Sequence, residues 1–272
     1  MKGIETIEVR SLGELIDRVT PGEPDPVTGR RRDSGVYRGS GNADWPLLTS
    51  LDRLGGVDPP HTKCGLEEHI LRNFIRYSRP HFPAARDEWE LLVAAQHHGL
   101  PTRLLDWSYS PLVAAHFATL SRHGRRQHED RDRAVWRLDW QRVHRHFGYP
   151  ELTLLTDDLH GLSSHEKDRR FTPWELIRGG RRMKPFAVLF EPPTLDARIA
   201  AQSAVFTLST DTSQPFDRFL ADHGLLDTLT KYVIRSRDVS LLRDQLDLVT
   251  VDERRLFPDL DGVAERMRRY YS

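Results

Sequence analysis

The stretch Glu90–Thr119, ELLVAAQHHGLPTRLLDWSYSPLVAAHFAT, constrains this chain more than any other. Two apolar segments at helical spacing, Leu91–Ala95 and Leu112–Ala118, flank fourteen residues (97–110). These hold a histidine pair, Gly, Pro, Arg, Asp, Trp and two serines. A plain helical hairpin needs only a short polar link, and such groups are costly to bury without partners. The link therefore reads as the floor of a site.

Around it the chain divides into short elements. Ile4–Val9 alternates weakly, and Ser11 with Glu14 three residues on forms a capping box, predicting a short strand and then a short helix. Residues 20–34 are rich in Pro, Gly and charge and read as an exposed loop. Val36–Ser40 reads as a strand in which Gly39, directly after Arg38, would let backbone or ligand approach the guanidinium. Gly65–Tyr77 has the spacing of an amphipathic helix. A second helix begins near Ala85 and ends at His97 and His98, with Gly99 as its cap and Pro101 beyond. Thr102–Asp106 is extended, with Arg103 and Asp106 able to pair and brace the turn. Ser108 and Ser110 can cap the next helix, whose first N–H groups could equally hold a phosphate.

Downstream, residues 121–133 form a polar excursion, and Ala134–Trp140 alternates like an internal strand. The span 141–184 is the least regular, with one short helix at Thr172-Pro-Trp-Glu. Pro185–Glu191, Gln202–Ser209 and Thr230–Ile234 read as strands. Helices follow at Phe216–His223, around Val239, Leu242 and Leu246, and at the C-terminal end. There is no βαβ rhythm, no GxGxxG and no P-loop. This predicts an α+β fold, a single compact domain with a mixed or antiparallel sheet core flanked by helices. Residues 1–29 form an N-terminal strand, helix and linker; residues 30–272 form the domain, with an irregular insert at about 141–184.

Lys+Arg and Asp+Glu both number 40, so no net field draws the chain to nucleic acid or a membrane. The single cysteine, Cys64, excludes an internal disulfide or thiolate cluster. No apolar run is long enough for a secretory or transmembrane segment, so a cytoplasmic protein with no membrane partner is expected. The 13 histidines are scattered and no HExxH is present, so no metal site is expected.

Tyr37-Arg-Gly with Trp45, the block Ala95–Ser108, Ser110–Ala118, Ala201–Thr207 and Leu256–Gly262 together closely resemble the FRG domain family over roughly residues 30–270. That family is named for a Phe-Arg-Gly motif, in which Tyr37 here replaces the Phe. The order of the blocks is also similar to that of Arg-Ser-Glu type NAD-dependent ADP-ribosyltransferases. Arg38 stands for the Arg, Asp106-Trp-Ser108 leading into Ala114–Ala118 for the Ser strand and helix, and Gln202 for the Glu.

This second resemblance implies a split sheet and an NAD-consuming enzyme, a bacterial toxin or phage-defence effector with a protein or nucleic-acid acceptor and an antitoxin or defence-system partner. In it Arg38 would clamp the pyrophosphate and Ser108 would orient the nicotinamide ribose. His97 or His98 would wall the cleft or move a proton, and Trp107 or Tyr109 would stack on nicotinamide. Gly39, Arg103, Asp106 and Ser110 would complete the cofactor site. Gln202 cannot supply the negative charge of a glutamate, so either the site is altered or another acid, Asp106 or Glu191, takes that place. Two other readings stay open. One is a non-catalytic nucleotide- or nucleic-acid-binding or sensing module using Arg38, Arg103 and the Arg178–Lys184 patch. The other is a metal-dependent nuclease built on Asp106, Asp157 and Asp158.

Overall fold

Eight strands in the computed structural model join into one sheet: β1 (Glu5–Glu8), β2 (Val36–Ser40), β3 (Leu105–Ser108), β4 (Arg133–Leu138), β5 (Leu154–Leu155), β6 (Ala187–Glu191), β7 (Ala204–Ser209) and β8 (Leu229–Ile234). Their spatial order is β1-β8-β4-β2-β3-β7-β6-β5. The described residues are 3–55, 57–78, 80, 88–120, 130–162, 171–179, 183–194 and 196–271. Pairing is antiparallel except at the two edges, where β1 lies parallel to β8 and β5 parallel to β6. The fold is therefore the mixed-sheet α+β architecture that the alternating strands predict.

The helices are α1 (Leu12–Val19), α2 (Lys63–Ser78), α3 (Glu88–His97), α4 (Pro111–Thr119), α5 (Trp140–Phe147), α6 (Pro173–Gly179), α7 (Ala197–Ala201), α8 (Phe216–Asp222), α9 (Val239–Leu248), α10 (Glu253–Leu256) and α11 (Leu260–Tyr271). Among the described residues, no helix is long and apolar enough to cross a membrane. Local signals act as the sequence implies at several ends. The Ser11 hydroxyl accepts from the Glu14 N–H at 3.1 Å, and Gly99 takes φ +81° after α3.

One face of the sheet is covered without interruption. Val36, Leu105, Trp107, Trp136, Leu189 and Val205 share a core with α5 and α8. The other face carries two separate cores. Tyr37, Val135 and Tyr232 pack under α1, α4 and α9, while Val188, Phe190 and Phe206 pack under α2, α3 and α6. The two meet at the β2/β3 boundary, the weakest join in the sheet. β2 and β3 are in register only at Tyr37 and Ser108, whereas β2 matches β4 from Val36 to Ser40 and β3 matches β7 along its whole length.

The described part of the span 141–184 carries regular elements. It contains most of α5, whose Trp140 and Val143 enter the continuous core, together with β5 and α6. The eight-residue α5 is studded with His and Arg, which hides its apolar side; Arg181 and Arg182 of the basic patch lie outside the described residues.

Candidate functional site

Arg38 sits where β2 leaves β3. Its Nη1 donates to the backbone carbonyl of Asp106 at 2.7 Å and lies 3.5 Å from the Asp106 carboxylate. A side chain thus ties the strands where the ladder stops. Burial pulls the Arg38 guanidinium below its ordinary value, partly offset by Asp106. Its own side chain is largely enclosed, while that of Asp106 is 51% exposed. Gln96 at the end of α3 donates to the other Asp106 oxygen at 2.8 Å, and Thr102 donates to Gln96 Oε1. The carboxylate is held from two sides and open on a third.

Gln96 leads directly into a cleft of about 570 Å³ lined by His97, His98, Gly99, Asp196, Ala197, Arg198, Pro258 and Asp259. His97 Nε2 contacts the Asp196 carboxylate closely, and the His97 and His98 rings meet edge to face with centroids 5.3 Å apart. Desolvation holds the His97 imidazole below its ordinary value against the pull of Asp196, so at neutral pH the ring stays largely uncharged. Arg198 lies with its guanidinium 4.5 Å from the Phe257 ring centroid. Among the described residues no carboxylate is within ion-pair distance of it. Asp196 is committed to the N-terminus of α7, where one oxygen accepts from the Arg198 and Ile199 N–H groups.

Ser108 and Gln202 bond to each other outside the residues that line this cleft. Strand alternation puts Ser108 on the same sheet face as Asp106. The Ser108 hydroxyl donates to the Gln202 carbonyl at 2.7 Å and accepts from the Ser110 N–H at 3.0 Å. Gln202 caps α7, and its amide donates to the Leu256 carbonyl at 3.0 Å. Ser110 caps α4 through the Val113 N–H. Tyr109, more than a third exposed, donates to Glu191 at 2.6 Å. Burial and the Glu191 hydrogen bond push its phenol up to about 12, so it remains a donor.

Three residues expected at the cofactor are turned away from it. Trp107 is buried in the continuous core with its indole N–H on Thr207 at 3.0 Å, so it offers no stacking face. Arg103 does not brace Asp106. Its guanidinium and backbone N–H bind Glu67, both side chains being 1% exposed. Arg103 lies ahead of β3 and turns into the core under α2, while Asp106, inside β3, keeps a half-exposed carboxylate. Gly39 serves helix packing and not ligand approach, because a Cβ there would lie 2.1 Å from the Ala114 carbonyl oxygen and 2.4 Å from the Ala118 nitrogen.

The cations and acids behind the other readings are similarly dispersed. Arg178 pairs with Glu68 at 2.8 Å, and Asp158 accepts from the Leu155 N–H. Among the described residues no three His, Cys, Asp or Glu side chains converge in a way that would hold a metal ion. Sequence reasoning passed over Arg198, Asp196 and Gln96 as site residues. Gln96 was detectable because it opens the Gln-His-His block, and Arg198 because it sits one helical turn before Gln202.

A family model described as FRG domain matches residues 33–127, a segment running from just before β2 past the end of α4 and so including both strands of the narrow join. No curated protein and no solved structure matches the chain.

Proposed function

Taking residues 33–127 as an FRG domain, we propose that this protein is an ADP-ribosyltransferase-like enzyme that consumes NAD and acts on a macromolecular acceptor. The observation that carries this reading is the half-exposed Asp106 carboxylate at the parting of β2 and β3, gripped by Arg38 and by Gln96, which directly precedes His97 of the His97–Arg198 cleft. That cleft has a volume typical of small-molecule sites. Its free guanidinium suits a pyrophosphate, which planar donors hold in a bidentate manner.

In this reaction the bond between nicotinamide N1 and ribose C1′ breaks, and the electron pair leaves with neutral nicotinamide. The acceptor nucleophile forms the new bond to C1′, and its proton passes to a base. Each group of the chain has one task. Asp106 supplies negative charge opposite the positive charge developing at the ribose, the part Gln202 cannot play. Arg38 and Gln96 hold Asp106 in place. Arg198 binds the pyrophosphate in place of Arg38, whose Nη1 is engaged by Asp106. His97, uncharged at neutral pH, takes the acceptor proton. The resemblance to bacterial and phage-related FRG proteins suggests a toxin or defence effector as the setting, with a protein or nucleic acid as acceptor.

The test is titration of the purified protein with NAD, following binding by calorimetry and nicotinamide release by chromatography, with Arg198→Ala and Arg38→Ala alongside. The reading expects release by the native chain, binding weakened about tenfold or more in Arg198→Ala, and loss of release in Arg38→Ala. Absence of both binding and release in the native chain would overturn it.

A further inference from the structure

The last helix presents an apolar seam that nothing in the described residues covers. Leu260, Ala264, Met267 and Tyr271 recur at spacings of four, three and four along α11, the pattern of a coiled-coil contact line. Leu260 is 85% exposed, Met267 46% and Tyr271 80%. Val263 and Tyr270, also exposed, widen the seam on one side. The opposite side of the helix is fully engaged. Arg269 binds Asp247 and Glu253, and Arg266 binds Asp252, fastening α11 to α9 and α10. The seam is therefore held outward by a charged anchor.

We propose that α11 is a homodimerisation helix, packing antiparallel against α11 of a second copy of this chain. Charge along the seam selects that occupant. The two charged positions bordering it on the side opposite Val263 and Tyr270 are Asp261, near the N-terminus, and Arg268, near the C-terminus. When two identical helices run antiparallel with Ala264 against Met267 of the other copy, Leu260 meets Tyr271. Each Asp261 then lies beside the other copy's Arg268, and Val263 lies beside the other copy's Tyr270. A two-fold axis makes every such contact twice, as an isologous interface requires. A parallel pairing would instead set Arg268 beside the other copy's Val263 and leave each Asp261 with no facing cation. The helix dipoles add in the same sense, since antiparallel packing puts opposite ends together.

Sedimentation equilibrium of the full chain over a range of concentrations tests this. A monomer–dimer equilibrium is expected, with the dissociation constant raised at least tenfold by Met267→Glu, a change at an exposed site that leaves the thermal melt of the monomer intact. Asp261→Arg alone should weaken the dimer, and Asp261→Arg combined with Arg268→Asp should restore it. That rescue distinguishes pairing across this seam from general loss of solubility. A native chain that is monomeric at its highest soluble concentration would overturn the proposal. So would a dimer indifferent to Met267→Glu, or a charge reversal without rescue.

Discussion

Arg38 and Asp106 meet across the one place where the sheet nearly parts, 2.7 Å from guanidinium to backbone carbonyl and 3.5 Å from guanidinium to carboxylate. The main bond uses the backbone of Asp106, so its carboxylate is oriented without being consumed. The same contact closes the gap between the half-sheets and leaves the carboxylate half-exposed to solvent.

Asp106→Asn separates these two roles. The carbonyl still accepts from Arg38 and the side-chain oxygen still accepts from Gln96, so stability should change by less than about 1 kcal/mol. The negative charge is gone, and nicotinamide release in single-turnover assays should fall by roughly a hundredfold or more. Equal release by Asn and Asp would remove Asp106 from the chemistry.

Gly39→Ala probes the packing of α4 on β2. A methyl group at this position overlaps the Ala114 carbonyl and the Ala118 nitrogen, both backbone atoms that cannot swing aside. A loss of about 3 kcal/mol is expected, read from the urea midpoint at constant slope. A variant as stable as the native chain would mean that α4 lies farther from β2.

Two glutamates one residue apart should behave oppositely. Glu67→Gln strips the charge from the fully buried partner of Arg103 and should cost about 3–5 kcal/mol, because an enclosed guanidinium is left uncompensated. Glu68→Gln touches only a pair with Arg178, whose side chain is 61% exposed, and should cost less than about 1 kcal/mol. Thermal unfolding of the two variants in parallel decides this.

His116 makes stability depend on pH. It is fully buried under α9 and accepts a hydrogen bond from Arg243 at Nδ1, 3.1 Å away. Burial, reinforced by the Arg243 charge, pushes its imidazole from 6.5 down to about 4. Between those values the unfolded chain binds a proton that the folded chain refuses. Stability is therefore complete above about pH 6.5 and declines as pH falls towards 4, by up to about 3 kcal/mol. Glu253 adds a loss of the same sign further down. Burial opposes its ionisation, but Arg269 and Arg243 hold it at about 2, so its contribution disappears as pH falls from 4.5. Melting curves at stepped pH should show the decline, and His116→Gln should flatten its upper part.

What the sequence alone determined is what neighbours along the chain can decide. The Ser11 cap, the stop at Gly99, the cap at Ser110, and the alternation of β4, β6 and β7 all rest on contacts within about four residues. The location of the site was legible for the same reason. The Gln-His-His-Gly block and Asp106 crowd polar groups where a plain turn would suffice; His97 and His98 line the cleft and Gln96 binds Asp106.

The assignment of partners was not legible. Arg103 and Asp106, three residues apart, look like a pair; instead Arg103 takes Glu67, 36 positions away, and Asp106 takes Arg38, 68 positions away. Only the tertiary structure decided this. Arg103 precedes β3 and turns to α2, and a buried guanidinium must then find the one carboxylate enclosed with it, while Asp106 inside β3 stays half-exposed. The roles of Trp107 and Gly39 are set by the strand faces they occupy, Trp107 in the core with α5 and α8 and Gly39 against α4.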